Sequence, residues 1–239
     1  MNRKALRKDF YMEIRRSLGR FLSIFFIVAI GVAFFSGIRA AEPDMRMSGD
    51  TYFDEKNLMD IQVVSTLGLT EDDVEALRET EGIEKVEGGY SVDALCTGNE
   101  TESVVHISSI LPTMNQVTVE KGRLPKTAQE CAVDVDFLVE EGFQIGDTIT
   151  LRSGTDTNIT DTLKEDTFTI VGAISSPCYI SFQRGSTTIG TGNVDGFVSV
   201  PAESFDMEVY TELYVAAEGA KALTAFTAAY DDCVEVVTE

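Results

Sequence analysis

The most prominent pattern in the chain is a long, uncharged, apolar run near its N-terminus. Residues 21–38, FLSIFFIVAIGVAFFSGI, lie between Arg20 and Arg39. At about 1.5 Å per residue, a helix of this length is close to the shortest that crosses a hydrocarbon core of about 30 Å. A cleaved signal peptide, the alternative, usually has a shorter apolar region of about 7–15 residues. Because bulky residues continue to the end of the run, the pattern favours a retained transmembrane helix.

The charges on the two sides of this run differ in sign. The first 20 residues carry seven Lys or Arg and two Asp or Glu, whereas the rest of the chain carries 12 basic and 38 acidic residues. Positive charge is retained on the cytoplasmic side of a membrane. The N-terminus is therefore predicted to lie in the cytoplasm, and residues from about 40 onward to lie outside the cell membrane.

The basic segment over residues 1–20 has a pattern of its own. Apolar residues recur at every fourth position, at Leu6, Phe10, Ile14 and Leu18. This spacing predicts an amphipathic helix whose basic faces are attracted to anionic lipid at the inner membrane surface. A plain positively charged flank without a further role is the alternative.

Beyond the run, a polar connector over residues 39–59 leads into a region of alternating strand and helix patterns. Runs rich in β-branched residues, or alternating polar and apolar residues, predict strands. These strands are DIQVVS, IEKVEGG, YSVDALCT, SVVHISSIL, ECAVD, IGDTITLRS, DTFTIVGAIS, DGFVSVP and TELYVAAEG. The polar stretches TGNETE and GTDTNITDTLKE are typical of hairpin connections.

Helical patterns lie between these strands. In LTEDDVEALRET, Thr70 is placed to cap a helix, with Asp73 three residues on as a capping-box variant, and Val74 and Leu77 face inward. A short helix follows ECAVD, Pro201 starts a helical turn, and GAKALTAFTAAYDDCVEVV begins as an amphipathic helix. Interleaved helices and hairpin-connected strands favour an α+β fold for the extracytoplasmic domain over residues 60–239. No closing element follows VEVVTE, so a longer native protein is expected.

The sequence contains no set of residues that predicts catalysis, cofactor binding or metal binding. It lacks the GxxxxGK[ST] phosphate cradle, and GTGNVDG is followed by a strand, which favours a flexible loop. His106, the only histidine, lies in an alternating strand and is predicted to be a satisfied strand residue. Asp134 and Asp136 lack the spacing of a calcium loop, so solvated charge is favoured. The acidic chain is also expected to repel nucleic acid.

The four cysteines all lie on the predicted outer side of the membrane. They are widely spaced and form no CxxC pair: Cys96, Cys131, Cys178 and Cys233. An even number of cysteines outside the membrane permits disulfides, whereas small buried free thiols are equally compatible with this spacing.

Several motifs, in a fixed order, carry a family resemblance. DIQVVSTLGLTEDDVEALRETEGIEKVEGGY opens the outer domain, and EKGRLPKTAQECAVD, FQIGDTITL and FTIVGAISSP follow it. Together with the basic N-terminus and the membrane span, this set resembles the permease subunits of MacB/FtsX-like ABC transporters. The positions that match the family motifs are Gly122, Arg123, Pro125, Glu130, Gly146 and Asp147.

The resemblance implies an architecture and a mechanism. It implies a mixed α/β outer domain with a β-rich subdomain, and a second permease copy or homologue beside this one in the membrane lipid. A separate cytoplasmic ABC ATPase subunit would bind ATP, so this chain itself is expected to be no enzyme and to hold no cofactor. The outer domain would act on a substrate or a partner protein. The later membrane helices of the family lie outside this sequence.

The matched residues have structural roles in this interpretation. Gly122 and Gly146 allow turns with positive φ, while Pro125 makes a turn rigid. Asp147 is placed to accept hydrogen bonds from backbone amides at the start of a strand. The remaining two matched residues, Arg123 and Glu130, are predicted to form an ion pair.

A glycine-rich loop, SSPCYISFQRGSTTIGTGNVDG, carries the other candidate residues. Tyr179, Phe182 and Arg184 stand in a polar setting, and aromatic residues and arginine are frequent anchors of interfaces. The loop is either a contact surface for a substrate or partner, or an ordered cover over the sheet. For the whole chain, a permease subunit is the leading hypothesis, and a self-contained, single-pass, membrane-anchored binding or sensor module is the alternative.

Overall fold

A computed structural model describes residues 10–12, 15–97, 102–181 and 183–238. The chain divides into two compact units, residues 1–49 and residues 50–239, and each is described by itself. Of the predicted N-terminal amphipathic stripe, Leu6 and Ile14 lie outside the described residues.

A long helix, α1 (Leu18–Lys56), contains the predicted membrane span. By length and composition, α1 is long and apolar enough to cross a membrane. Its apolar side chains are exposed in the isolated chain, as Ile27 and Phe34 show, and contact with lipid would cover them. The segment predicted as a connector is helical as far as Lys56, because strong helix formers such as Ala40, Ala41 and Met45 dominate its first part.

The second unit opens with a small sheet covered by a helix. Strands β1 (Ile61–Leu69), β2 (Ile83–Gly89) and β10 (Tyr210–Ala217) form an antiparallel sheet in the order β1-β10-β2, and helix α2 (Glu71–Arg78) packs on one face. The Asp73 carboxylate accepts hydrogen bonds from the Thr70 backbone N–H at 2.7 Å and from its hydroxyl at 2.8 Å. The apolar side of α2 meets the sheet through these residues: Val74, Leu77, Val86, Leu213 and Val215.

The remaining strands form a barrel. They are β3 (Ser91–Thr97), β4 (Glu102–Ser109), β5 (Thr118–Gly122), β6 (Glu130–Asp134), β7 (Thr148–Arg152), β8 (Thr167–Ser175) and β9 (Gly196–Val200). Neighbouring strands follow the order β5-β8-β6-β9-β4-β3-β7, and an additional β7–β8 pairing closes the wall. The first part of β8 pairs with β7, and its second part pairs with β5 along the same edge.

Helix α3 (Val135–Glu140) follows β6, and helix α4 (Ala228–Thr238) follows β10. Alternation along each barrel strand places one set of side chains inside, as the pleat requires. Ile107, Phe168 and Val198 are among the fully buried residues of this interior. Cys96 and Cys131 lie in the same core as free thiols, and burial raises the pKa of Cys96 to about 12. All four cysteines are free in this structure.

The α+β fold and the nine predicted strands are confirmed, with two corrections. The sequence did not predict β5, because TVEKG is short, polar and largely exposed at the sheet edge. The C-terminal helix begins at Ala228 rather than near residue 220. In the segment before this helix, residues Ala220–Ala222 form a 3-10 turn. Phe226 has a positive φ of 62°, a conformation that interrupts a helix.

Candidate functional site

A cleft of about 200 Å³ lies between the three-stranded sheet and the outer wall of the barrel. The sheet contributes Gln62, Glu212 and Tyr214, and the barrel contributes His106, Ser108 and Ser199. Tyr179 from the glycine-rich loop and the segment over residues 110–117 also line the cleft. Clefts at the junction of two structural parts are a common place for ligands to bind.

Two strands of the barrel wall set the polar groups of the cleft in register. Strands β4 and β9 are parallel, and Ser108 lies beside Ser199 just as His106 lies beside Phe197. Their neighbours Ile107 and Val198 point into the barrel core. Because side chains alternate between the two faces of a strand, the histidine and both serines point outward into the cleft.

His106 has a fixed carboxylate partner on the next strand. It lies directly opposite Asp93, and its Nδ1 is 2.7 Å from the Asp93 Oδ1. Burial raises the pKa of Asp93, but hydrogen bonds from His106 and Thr187 outweigh burial, so the pKa is lowered overall. The Nδ1–H of a neutral imidazole donates to this carboxylate and leaves Nε2 as an acceptor. The prediction of a strand histidine is confirmed, and its imidazole has a protein partner at Nδ1.

Glu212 is the charged group in the wall that the sheet provides. It is only 7% exposed, and its carboxylate accepts hydrogen bonds from Gln62 Nε2 at 2.8 Å, Ser91 Oγ at 2.5 Å and the Tyr214 hydroxyl. Burial and the adjacent Glu212 charge raise the pKa of Tyr214, so this phenol remains a donor. All three donors are neutral.

The glycine-rich loop packs against the same outer wall. The Tyr179 ring stacks on Phe197, with centroids 4.7 Å apart. Arg184 Nε lies 2.7 Å from the Asp134 Oδ2, its Nη2 lies 2.8 Å from the Asp136 Oδ2, and its side chain is 8% exposed. Both loop residues therefore contribute to packing, and their contact with a partner stays a prediction. Phe182 lies outside the described residues.

The comparisons with known proteins concern the whole outer domain. The family described as the MacB-like periplasmic core domain matches residues 18–232. This chain belongs to that family. No curated protein matches it.

Three solved structures are similar to this MacB-like chain. The extracellular domain of the noncanonic ABC-type transporter YknZ from Gram-positive bacteria is 11% identical, covers 71% of this chain and 80% of its own, and gives a TM-score of 0.41. The periplasmic region of MacB from Actinobacillus actinomycetemcomitans is 11% identical, with 74% of each chain covered and a TM-score of 0.37. A domain of a putative permease from Porphyromonas gingivalis is 13% identical, with 66% and 69% covered and a TM-score of 0.37.

The residues that match the MacB-like motifs meet along β8, outside the cleft. Arg123 N donates to Val171 O at 3.0 Å, and Gly146 N donates to Ile170 O at 2.8 Å. Gly122 and Gly146 have φ values of 74° and 102°. These hydrogen bonds join two loops to one strand, and Leu124, within the first loop, lines the cleft.

Side chains of the same motifs hold these loops in shape. Arg123 Nη2 lies 2.6 Å from the Glu130 Oε1 and forms the predicted ion pair across the turn that contains Pro125. The hydrogen bonds from Arg123 lower the pKa of Glu130 to about 2. The Asp147 Oδ2 accepts a hydrogen bond from the Gln144 backbone N–H at 2.8 Å, just before β7.

Apart from Tyr179, sequence reasoning did not identify the residues of the cleft as a candidate site. One signal was available in TELYVAAEG, where an acidic residue, Glu212, stands within an apolar strand. Ser108 and Ser199 gave no signal, because serine at the polar positions of an alternating strand usually faces solvent.

Proposed function

We propose that this chain is the N-terminal part of a permease subunit of a MacB/FtsX-like ABC transporter. In this proposal a separate cytoplasmic ATPase hydrolyses ATP, and the permease transmits the resulting motion to its extracytoplasmic domain, which acts on a substrate or partner protein. The observation that carries the proposal is the family match over residues 18–232, which includes the apolar helix as well as the domain. The excess of basic residues before the span supports a cytoplasmic N-terminus.

Contacts at the C-terminal end of α1 support the transmission of motion. Lys56 and Asn57 accept hydrogen bonds through their carbonyl oxygens from the backbone N–H groups of Gln116 and Asn115, at 2.8 Å and 2.9 Å. Lys221 Nζ donates to the Asp54 carbonyl oxygen at 2.9 Å. The helix end is thus bonded to the segment over residues 110–117, which also lines the cleft. A displacement of this helix end would reach the cleft through that segment.

The test uses the full-length protein with an N-terminal tag, purified from solubilised membranes. We expect an ABC ATPase to co-purify and its hydrolysis to depend on this subunit. Absence of an ATPase from intact preparations would contradict the proposal and favour a self-contained, membrane-anchored binding or sensor module.

A variant at the helix end tests the transmission step separately. Asn57→Ala removes the hydrogen bond from Asn57 Nδ2 to the Thr113 carbonyl oxygen at 3.1 Å and the contact of its Oδ1 with Lys221 Nζ at 2.8 Å. We expect the ATPase still to co-purify but its stimulation by this subunit to fall. Asn158→Ala, in the exposed connection between β7 and β8, is the matched control and should leave stimulation unchanged.

A further inference from the structure

Three carboxylates are buried in the described part of the chain, and they differ in their partners. Glu87 lies 3.1 Å from Lys85 Nζ, and Asp134 lies 2.7 Å from Arg184 Nε. Glu212 has only the three neutral donors and forms no ion pair with another described residue. A buried charge is costly unless it is paired as well as hydrogen-bonded. Glu212 accepts three hydrogen bonds, which is the pattern of an ionised carboxylate, and no cation among the described residues lies beside it at the wall of the cleft.

The rest of the lining adds acceptors and no positive charge. None of the described residues that line the cleft is Lys or Arg. The side chains of Ser108, Ser199 and Tyr179 form no hydrogen bond through their hydroxyl groups with another described residue, and His106 Nε2 is likewise open. No buried side-chain nitrogen or oxygen of the described residues lacks a hydrogen-bond partner, so these four groups are accessible from the cleft and available to a ligand there.

The size of the cleft limits what enters it. Its volume of about 200 Å³ is below the range of about 300–1,000 Å³ that is typical of sites for drug-sized ligands. A compact head group fits this space better than an extended molecule. An anion is disfavoured, because Glu212 and Asp93 would both repel it.

We propose that the junction cleft binds a compact organic cation, a primary ammonium or guanidinium group, with Glu212 as its counter-charge. The acceptors available to the cation are the hydroxyl oxygens of Ser108, Ser199 and Tyr179 and His106 Nε2, and an ammonium group, with three N–H donors, bonds at most three acceptors. Binding requires neither an ATPase nor transport, so this proposal and the proposed function can fail independently.

The first experiment measures binding of two small probes to the detergent-solubilised full chain by ligand-observed NMR. The probes are n-butylammonium and its neutral analogue 1-butanol. We expect n-butylammonium to bind, and Glu212→Gln to weaken its binding at least about tenfold, because hydrogen bonds and ion pairs to charged groups contribute more than neutral ones. The exposed Glu203→Gln is the matched control and should bind like the wild type. No binding of n-butylammonium, or equal binding to wild type and Glu212→Gln, would overturn the proposal.

A second variant covers the case in which Glu212→Gln fails to fold by circular dichroism. The double variant Ser108→Ala/Ser199→Ala keeps the buried charge and removes two acceptors. We expect it to bind n-butylammonium several-fold more weakly, and unchanged affinity would overturn the proposal.

A further probe distinguishes two sources of the same cation. N-acetyl-lysine methylamide carries the ammonium group on a peptide backbone. Binding as tight as that of n-butylammonium would assign the site to a cationic side chain of a peptide, whereas markedly weaker binding would assign it to a free amine. Both results require Glu212 if the proposal is correct.

Discussion

Next to the cleft, the inner and outer faces of the barrel wall differ in chemistry although they belong to the same strands. Along β4 and β9, Ile107 and Val198 point inward and are fully buried in an apolar core. One position away on each strand, His106, Ser108 and Ser199 point outward and line the cleft. Burial of the inner-face side chains stabilises the fold by about 25 cal/mol for each Å² of apolar surface removed from water. Because the inner face supplies burial along these strands, the positions that face the cleft can hold polar groups without partners among the described residues.

The largest effect on stability is expected from opening a cavity inside the barrel. Phe168 is fully buried, and Phe168→Ala should lower the free energy of unfolding by about 4 kcal/mol through lost burial and the cavity left behind. Ser199→Ala, on the outer face, should change it by less than about 0.5 kcal/mol. Urea titration of the solubilised full chain, followed by circular dichroism, measures both. Similar losses for the two variants would contradict the division of roles between the faces.

A second experiment asks whether the loop on the outer face depends on its buried ion pair. Arg184→Ala leaves the Asp134 carboxylate, 1% exposed, without its cation, and should lower the free energy of unfolding by about 3 kcal/mol. Burial already raises the pKa of Asp134 despite the arginine, and removal of Arg184 should raise it further. An acid whose folded pKa is raised destabilises the fold as it ionises, so the loss should shrink toward acidic pH, where Asp134 is protonated.

The control for this experiment is Asp136→Asn. The Asp136 side chain is 61% exposed and contacts the same arginine, so loss of its charge should have little effect on the free energy of unfolding. A loss in Arg184→Ala that is independent of pH would indicate that the arginine acts through its packing rather than through its charge.

The sequence predicted those parts of the fold that depend on local patterns. Alternation identified nine strands, and Thr70 with Asp73 located the start of α2. The closure of the barrel by β7–β8 and the parallel pairing of β4 with β9 join distant segments, and no short pattern contains them. The candidate site depends on such pairings, because Glu212 lines the same cleft as His106 and Ser108 only through the packing of the sheet on the barrel.

A third experiment compares the two glycines of the family motifs. At Gly122, with φ 74°, an added Cβ would lie 2.3 Å from the Val171 carbonyl oxygen, so Gly122→Ala should cost about 2–3 kcal/mol. At Gly146, with φ 102°, an added Cβ meets open space, and Gly146→Ala should cost about 1 kcal/mol from backbone strain alone. The urea midpoints of both variants, compared with that of the wild type, measure these two losses of stability. Equal losses would show that the close approach of β5 to β8 is not what requires Gly122.

The smallest effect is expected at the exposed ion pair beside β5. The hydrogen bonds from Arg123 lower the pKa of Glu130 from 4.5 to about 2. A carboxyl whose folded pKa is depressed stabilises the fold above its unfolded pKa, and that contribution is lost as the pH falls through the folded value. Glu130→Gln should therefore differ most from the wild type above about pH 4.5, and the difference should diminish toward about pH 2.

Arg123→Gln should reduce the same pH dependence of urea unfolding, because it removes the largest cause of the lowered Glu130 pKa and leaves the hydrogen bond from the Lys126 backbone N–H. The double variant should lose less stability than the sum of the two single losses, as expected for two members of one interaction. Additive losses would show that the two side chains stabilise the turn separately. The glycine Gly122 and the hydrogen bond from Arg123 N to Val171 O would then hold β5 on the barrel without help from the ion pair.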